Sequence, residues 1–217
     1  MESMLPKIYR TGVIAVLVIE RAEDAVPLAR SLLAGGIDSI ELTLRTPAAL
    51  EALRRIKAEV PEILCGIGTI LTPEQAKEAA AAGAAFGVAP GMNPRVVQAA
   101  RQIGLPFAPG VVTPSDIELA LELGCRLLKF FPAEPSGGLK YLKSMAAPYA
   151  HLNVRFIPLG GLESSHIATY LKEPIIPALG GSWLAPRDVI RKQDWQTITA
   201  NAREATNLVA QVRKGAA

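Results

Sequence analysis

The chain of 217 residues has little of what marks several common classes of protein. It contains only two cysteines and two histidines, and their spacing fits neither a disulfide framework nor a metal site. Its 23 basic and 20 acidic residues are scattered along the chain, which gives no electrostatic case for a nucleic-acid partner. We therefore expect a reducing compartment, free thiols and no metal ion.

Long apolar runs are also missing. No segment approaches the roughly 20 consecutive apolar residues that a membrane-spanning helix needs. The apolar segment 12–19 follows Lys7 and Arg10, but the charged stretch 20–24 comes next instead of a small-residue cleavage site. We therefore expect a cytoplasmic protein that does not bind a membrane.

Half of the chain is apolar, and these residues form short runs that alternate with longer segments of helical period. The runs predicted as strands are 12–19, 39–44, 64–70, 86–90, 106–111, 126–132, 154–160 and 176–182. The segments predicted as helices are 24–34, 47–59, 73–82, 94–103, 114–123, 138–149, 164–172 and 194–213. Short apolar strands that alternate with helices are typical of a parallel sheet covered by helices.

Glycines and prolines repeat in step with these units. Glycines are expected to end helices before strands, and prolines are expected near the first turn of helices. The glycines are Gly83, Gly104 and Gly124, and the prolines are Pro47, Pro73, Pro94 and Pro114. The pattern predicts one (β/α)8 TIM barrel domain over residues 1–217, with a short N-terminal segment before the first strand. A doubly wound open sheet is the alternative, although its G-x-G-x-x-G fingerprint is absent.

The second predicted strand carries polar residues on one face. Glu41, Thr43 and Arg45 share one parity, and the residues between them are apolar. Since the apolar face must meet the helices, the polar face is expected to point into the barrel. A carboxylate and a guanidinium are costly there unless something uses them. Glu41 and Arg45 therefore form either a structural ion pair or part of a functional site.

Lys129 lies inside an otherwise apolar strand, between leucines and the aromatic pair Phe130 and Phe131. One interpretation is that its ammonium extends to the barrel mouth and only balances Glu41. The other is that burial favours the neutral amine, which attacks carbonyl groups and forms a Schiff base. The barrel setting and the polar second strand favour the nucleophile.

Polar and glycine residues also follow other strands, where barrels carry their active sites. Gly160–Gly161 and Gly180–Gly181–Ser182 follow the seventh and eighth strands, where backbone N–H groups often bind phosphate. Each glycine pair alone is equally compatible with a simple turn. Thr69 ends the third strand, although a threonine there is often a helix cap. His151 and His166 are predicted to be surface residues.

Together these segments resemble the 2-keto-3-deoxy-6-phosphogluconate (KDPG) and 4-hydroxy-2-oxoglutarate (KHG) aldolase family. The landmarks are Ala34–Gly36, Glu41–Thr46, Gly66–Thr69, Ala89–Gly91, Lys129–Glu134 (KFFPAE) and Gly180–Trp183. The resemblance implies a trimeric class I aldolase on a TIM barrel, with no metal or other cofactor. It implies cleavage of KDPG to pyruvate and glyceraldehyde 3-phosphate, and of 4-hydroxy-2-oxoglutarate to pyruvate and glyoxylate.

The resemblance also implies roles for single residues. Lys129 would form the Schiff base and Glu41 would shuttle protons. Arg45 and Thr69 would hold the carboxylate of the pyruvyl group. The substrate-binding residues would further include Pro90, Phe131, the two glycine pairs and Ser182.

Two positions depart from the family pattern. Leu159 precedes Gly160 where the family usually carries threonine, and Ile67 replaces a smaller alanine. The first change would weaken the preference for the phosphorylated substrate, and the second would narrow the site. Two other classes remain open: a phosphate-binding barrel enzyme such as an isomerase, with a non-covalent lysine, and a non-catalytic sugar-phosphate-binding protein.

Overall fold

Two curled sheets of parallel strands, covered by helices, make up the computed structural model, which describes residues 5–215. The ends of the predicted domain, residues 1–4 and 216–217, lie outside the described residues. The α/β class is therefore as predicted. Between residues 5 and 215, no helix has the length and apolar character needed to cross a membrane.

The elements follow one another along the chain in a repeating strand–helix order. The strands are β1 Val13–Leu17, β2 Ser39–Thr43, β3 Leu64–Gly68, β4 Gly87–Val88, β5 Phe107–Ala108, β6 Gly110–Val111, β7 Leu127–Phe130, β8 Arg155–Pro158 and β9 Leu179–Gly181. The helices are α1 Leu5–Thr11, α2 Ala25–Ala34, α3 Ala49–Glu59, α4 Pro73–Ala82, α5 Pro94–Gln102, α6 Pro114–Glu122, α7 Gly138–Ala146, α8 Ile167–Leu171, α9 Arg187–Arg191 and α10 Trp195–Lys214.

The two sheets are linked at two places. The first has the order β5–β4–β3–β2–β1–β9, and the second has the order β6–β7–β8. A single residue, Pro109, separates β5 from β6, and proline cannot donate a ladder hydrogen bond. At the other edge, a parallel bridge joins Leu159 to Gly180. All strand pairs are parallel.

The core has an outer layer between strands and helices and an inner layer enclosed by the strands. Ile40 and Leu42 of β2 belong to the outer layer, as their parity predicts. Ile14, Ile157 and Leu159 belong to a separate inner cluster. Ile8 of α1 packs into this inner cluster beside residues that begin the strands, so α1 closes the N-terminal end of the sheet.

The turn chemistry agrees with the sequence, but two helices were not predicted. Thr72 and Thr113 form capping boxes before Pro73 and Pro114, each of which occupies the first turn of its helix. The glycines expected to end helices at 83, 104 and 124 all have positive φ.

The predicted N-terminal segment contains α1, and α9 follows β9. Both helices are too short to give a periodic signal in the sequence.

Both cysteines are free, as predicted. Cys65 is buried and Cys125 is half-buried, and burial raises the pKa of each thiol. A raised pKa leaves little of the reactive thiolate near neutral pH. The two side chains therefore contribute packing and not nucleophilic chemistry.

Candidate active site

Lys129 of β7 and Glu41 of β2 meet inside the curled sheet. The Lys129 Nζ donates to Glu41 Oε1 at 2.9 Å and to Oε2 at 3.2 Å. The two side chains are only 8% and 3% exposed. Residues 88 positions apart in sequence thus form one buried charge pair, and Glu41 points inward as the parity of its strand predicts.

The surroundings of this pair are almost entirely apolar. A small cavity beside it is lined by Lys129, Glu41, Ile8, Ile14, Phe86, Val88, Ala108, Ile157 and Leu159. The ring of Phe131 lies 5.4 Å from the Lys129 Nζ, a distance at which its face attracts the ammonium. Because few neighbouring dipoles can stabilise either charge, the stability of each charge depends strongly on the presence of the other.

Pro90 lies close to the strand that neighbours Lys129. A Cβ at Gly110 would stand 2.2 Å from the Pro90 carbonyl oxygen, so only glycine lets the Pro90 loop cross there. Gly110 is the register partner of Lys129. The fold therefore brings the predicted residue Pro90 to the strand that pairs with the lysine.

Of the two alternatives for Glu41 and Arg45, the structural ion pair is not found among residues 5–215. Strand β2 ends at Thr43, and the Thr43 hydroxyl donates to the Leu17 carbonyl at 3.0 Å. Arg45 follows in a turn, where its side chain is exposed and makes no hydrogen bond or ion pair with another of residues 5–215. The prediction that Arg45 points into the barrel was wrong, because strand parity does not extend beyond the end of the strand. Arg45 instead lies past the C-terminal end of β2.

Thr69 follows directly after the last residue of β3. Its φ of 62° is in the left-handed region, which a β-branched residue rarely adopts. Such strain is characteristic of positions under functional constraint. Leu44, beside Arg45, donates its backbone N–H to Gly68, the neighbour of Thr69, at 2.9 Å. Arg45 and Thr69 therefore follow neighbouring strands at the same end of the sheet.

The two glycine pairs lie side by side at this end. Gly160 and Gly161 have φ values of 98° and 77°, which favour glycine. Gly180 pairs with Leu159 and lies within β9, together with Gly181, so these two glycines end the strand instead of following it. A Cβ at Gly181 would meet the Trp183 ring at 2.0 Å, and Ser182 is exposed.

Backbone donors are available at these glycines. The N–H groups of Gly160, Gly161 and Ser182 donate no hydrogen bond to any other residue between 5 and 215. Unpaired N–H groups on neighbouring turns can bind an anion. The arrangement is thus compatible with the phosphate site that the sequence predicts.

A cluster of polar side chains around Glu134 at the same end was not predicted. Glu134 accepts a hydrogen bond from the Tyr170 hydroxyl, and its Oε2 lies 3.8 Å from His166 Nε2. His166 Nδ1 accepts from the Glu163 N–H at 3.0 Å. His166 is therefore a half-buried member of this cluster, whereas the other histidine, His151, is exposed as predicted. The i, i+4 spacing of His166 and Tyr170 is the only local signal, because Glu134 is distant in sequence.

The comparison with known proteins is consistent with this geometry. The family model for KDPG and KHG aldolases matches residues 5–201. The chain belongs to this aldolase family. The 2-dehydro-3-deoxy-phosphogluconate aldolase of Treponema pallidum is 44% identical, over 96% of this chain and 99% of that one. The KHG/KDPG aldolase of Escherichia coli K12 is 42% identical, over 91% of this chain and 92% of that one.

Solved structures of the family have the same fold. KDPG aldolase from Legionella pneumophila, with pyruvate captured as a covalent carbinolamine intermediate, matches with a TM-score of 0.88 at 36% identity, over 94% of this chain and 99% of that one. The KDPG aldolase of Zymomonas mobilis ZM4, with 3-phosphoglycerate, matches with a TM-score of 0.87 at 42% identity. The match covers 94% of this chain and 95% of that one.

The interaction between Lys129 and Glu41 can be measured from the free energy of unfolding of single and double variants. Lys129→Met leaves a buried carboxylate without its partner, which typically costs about 3–5 kcal/mol. Adding Glu41→Gln removes that unpaired charge, so we expect the double variant to regain most of the loss. Urea unfolding of the wild type, both single variants and the double variant gives the coupling. Losses that simply add would show that the two charges do not depend on each other.

Proposed function

We propose that this family member is a class I aldolase in which Lys129 forms a Schiff base with the substrate and Glu41 shuttles protons. The observation that carries the proposal is the buried contact between the Lys129 Nζ and the Glu41 carboxylate in an apolar cavity. The substrate we propose is KDPG, cleaved to pyruvate and glyceraldehyde 3-phosphate. The names of the curated relatives support this choice.

The reaction begins with a proton transfer within the pair. Lys129 attacks only as the free amine, and Glu41, at 2.9 Å, is placed to take its proton. The amine adds to the keto carbon and gives a carbinolamine. Loss of the former carbonyl oxygen as water, with a proton from Glu41, leaves a protonated imine. The covalent carbinolamine captured in the Legionella pneumophila relative supports this step.

The imine then draws electrons from the bond between the third and fourth carbons. Glu41, through a water molecule, accepts the proton of the hydroxyl on the fourth carbon as that bond breaks, and the aldehyde leaves. The remaining enamine takes this proton back at the third carbon. Hydrolysis of the imine releases pyruvate and Lys129. One carboxyl group thus serves first as base and then as acid.

The remaining predicted residues bind the substrate in this proposal. Arg45 and Thr69 hold the pyruvyl carboxylate, since both follow strands at the end where Lys129 is reached. Pro90 and Phe131 form the walls beside the lysine. The phosphate is bound by N–H groups of the two glycine pairs and by Ser182.

The proposal also covers closure of the barrel, the oligomeric state and a second substrate. We infer that the two sheets form one closed (β/α)8 barrel in a single domain, because Pro109 alone separates β5 from β6 and a bridge joins Leu159 to Gly180. The resemblance supports a cytoplasmic homotrimer. We also propose activity on 4-hydroxy-2-oxoglutarate, supported by the KHG/KDPG aldolase of Escherichia coli.

We expect pyruvate and borohydride together to add one reduced pyruvyl group to Lys129. Lys140 and Lys143 are exposed and are expected to stay unmodified, because neither lines the apolar cavity around Lys129. Intact-mass analysis and peptide mapping measure this, and Lys129→Arg is the control. An isomerase with a non-covalent lysine, or a binding protein, gives no adduct. No adduct, or an adduct on Lys140 or Lys143, contradicts the Schiff-base assignment.

The variant Glu41→Gln tests the proton-transfer role of Glu41 separately from the nucleophilic role of Lys129. The variant loses the carboxylate that stabilises the ammonium, so Lys129 still forms the pyruvate adduct on long incubation. Turnover is expected to fall by about 10²–10⁴-fold, the usual contribution of one acid–base group. Glu51→Gln, on the surface of α3, is the matched control. Near-wild-type cleavage by folded Glu41→Gln would assign Glu41 a purely structural role.

Substitution of Leu159 tests how strongly the enzyme prefers the phosphorylated substrate. Its side chain lines the Lys129 cavity, and the resemblance implies that most of the family carries threonine at this position. We expect the wild type to prefer KDPG over 4-hydroxy-2-oxoglutarate, because backbone N–H groups hold the phosphate. Leu159→Thr should widen the preference a few-fold, since one hydrogen bond contributes about 0.5–1.5 kcal/mol.

The measurement is kcat/KM for both substrates, with Leu159→Val as the control that has the shape of threonine without its hydroxyl. Equal or reversed preference in the wild type would contradict the phosphate site. If threonine and valine gave the same preference, no hydroxyl contact would exist at this position.

A further inference from the structure

Strand β3 has no side chain on the part of its inner face that lies beside Glu41. In the register of the sheet, Glu41 is opposite Gly66 and Thr43 is opposite Gly68. A Cβ at Gly68 would stand 1.9 Å from Glu41 Oε1, 2.6 Å from Cδ and 2.7 Å from Cγ. All three nearest atoms belong to Glu41. The catalytic carboxyl group therefore fills the space that a side chain at position 68 would need.

The backbone gives no other reason for glycine at this position. The φ of Gly68 lies outside the left-handed region, unlike that of its neighbour Thr69. A residue with a side chain could therefore adopt this conformation in the strand. The close approach of Glu41 remains as the requirement for glycine.

Gly66 offers a natural comparison on the same strand and the same face. A Cβ there would stand 2.4 to 2.5 Å from the ring of Phe86, which is apolar and buried. Both glycines thus accommodate a large neighbouring side chain. Only at Gly68 does that neighbour carry the proton-transfer group.

We propose that Gly68 is a positioning residue for the reaction, because its missing side chain seats the Glu41 carboxyl group against Lys129. This inference rests on the proposed function. The atom that a Cβ at position 68 would meet first, Oε1, is also the atom that accepts from the Lys129 Nζ at 2.9 Å. A side chain at position 68 that displaces Oε1 therefore also disturbs its contact with Lys129.

Gly68→Ala forces the carboxylate to move by about 1 Å, because real Cβ contacts almost never fall below 3.0 Å. A displacement of this size can reduce turnover by about 10²-fold. We expect kcat to fall by about this factor while KM changes little, because Arg45, Thr69 and the glycine pairs are untouched. The pyruvate adduct still forms on Lys129. Gly66→Ala is the matched control and should lower kcat only a few-fold.

A rescue separates positioning from general damage to the strand. Glu41→Asp shortens the side chain by one methylene and withdraws the carboxylate from Gly68. Alone it should lower kcat, but in the Gly68→Ala background it should cost much less or restore turnover. Losses that multiply, or equal losses of kcat in Gly68→Ala and Gly66→Ala, would overturn the proposal.

The outcome is also readable if Gly68→Ala does not fold. In the Glu41→Ala background the clash is absent, so Gly68→Ala should then fold with little further loss of melting temperature. A loss that is the same whatever residue occupies position 41 overturns the proposal. Failure of the proposed function is distinct, because it appears as a missing pyruvate adduct on wild-type Lys129.

Discussion

A buried ion pair between Lys129 and Glu41 is the interaction around which the candidate active site is arranged. Taking both charges out of water costs several kcal/mol for each ion, and their attraction repays this only when their geometry is good. An apolar pair of similar volume would serve stability as well or better. The pair is therefore poorly explained by stability, whereas proton transfer between an amine and a carboxyl group at 2.9 Å explains it directly.

The fold supplies this contact through parallel strands that are distant in sequence. Strand β2 carries Glu41 and β7 carries Lys129, and both side chains point into the space that the curled sheets enclose. Helix α1 closes the N-terminal end of that space with Ile8. Arg45, Thr69 and the glycine pairs lie at the other, C-terminal end, where the proposed function has the substrate enter.

The sequence predicts those features that depend on local alternation. Apolar residues flank Glu41 on its strand, so the sequence alone assigns it to the inner face, and the apolar neighbours of Lys129 indicate burial in the same way. The position of Arg45 was mispredicted because the strand ends two residues earlier, which only the hydrogen bonds of the folded sheet determine. Contacts between distant segments leave no periodic trace. The Glu134 cluster and the fit of Glu41 over Gly68 therefore emerge only from the structure.

A crystal structure of the protein after reaction with pyruvate and borohydride tests the central claim most directly. We expect continuous density from the Lys129 Nζ to the second carbon of the pyruvyl group. The Glu41 carboxylate should lie over Gly68 within hydrogen-bonding distance of the adduct, and the pyruvyl carboxylate should point toward Arg45 and Thr69. Pyruvate bound without a covalent link to Lys129, or an adduct from which Glu41 has turned away, would contradict it.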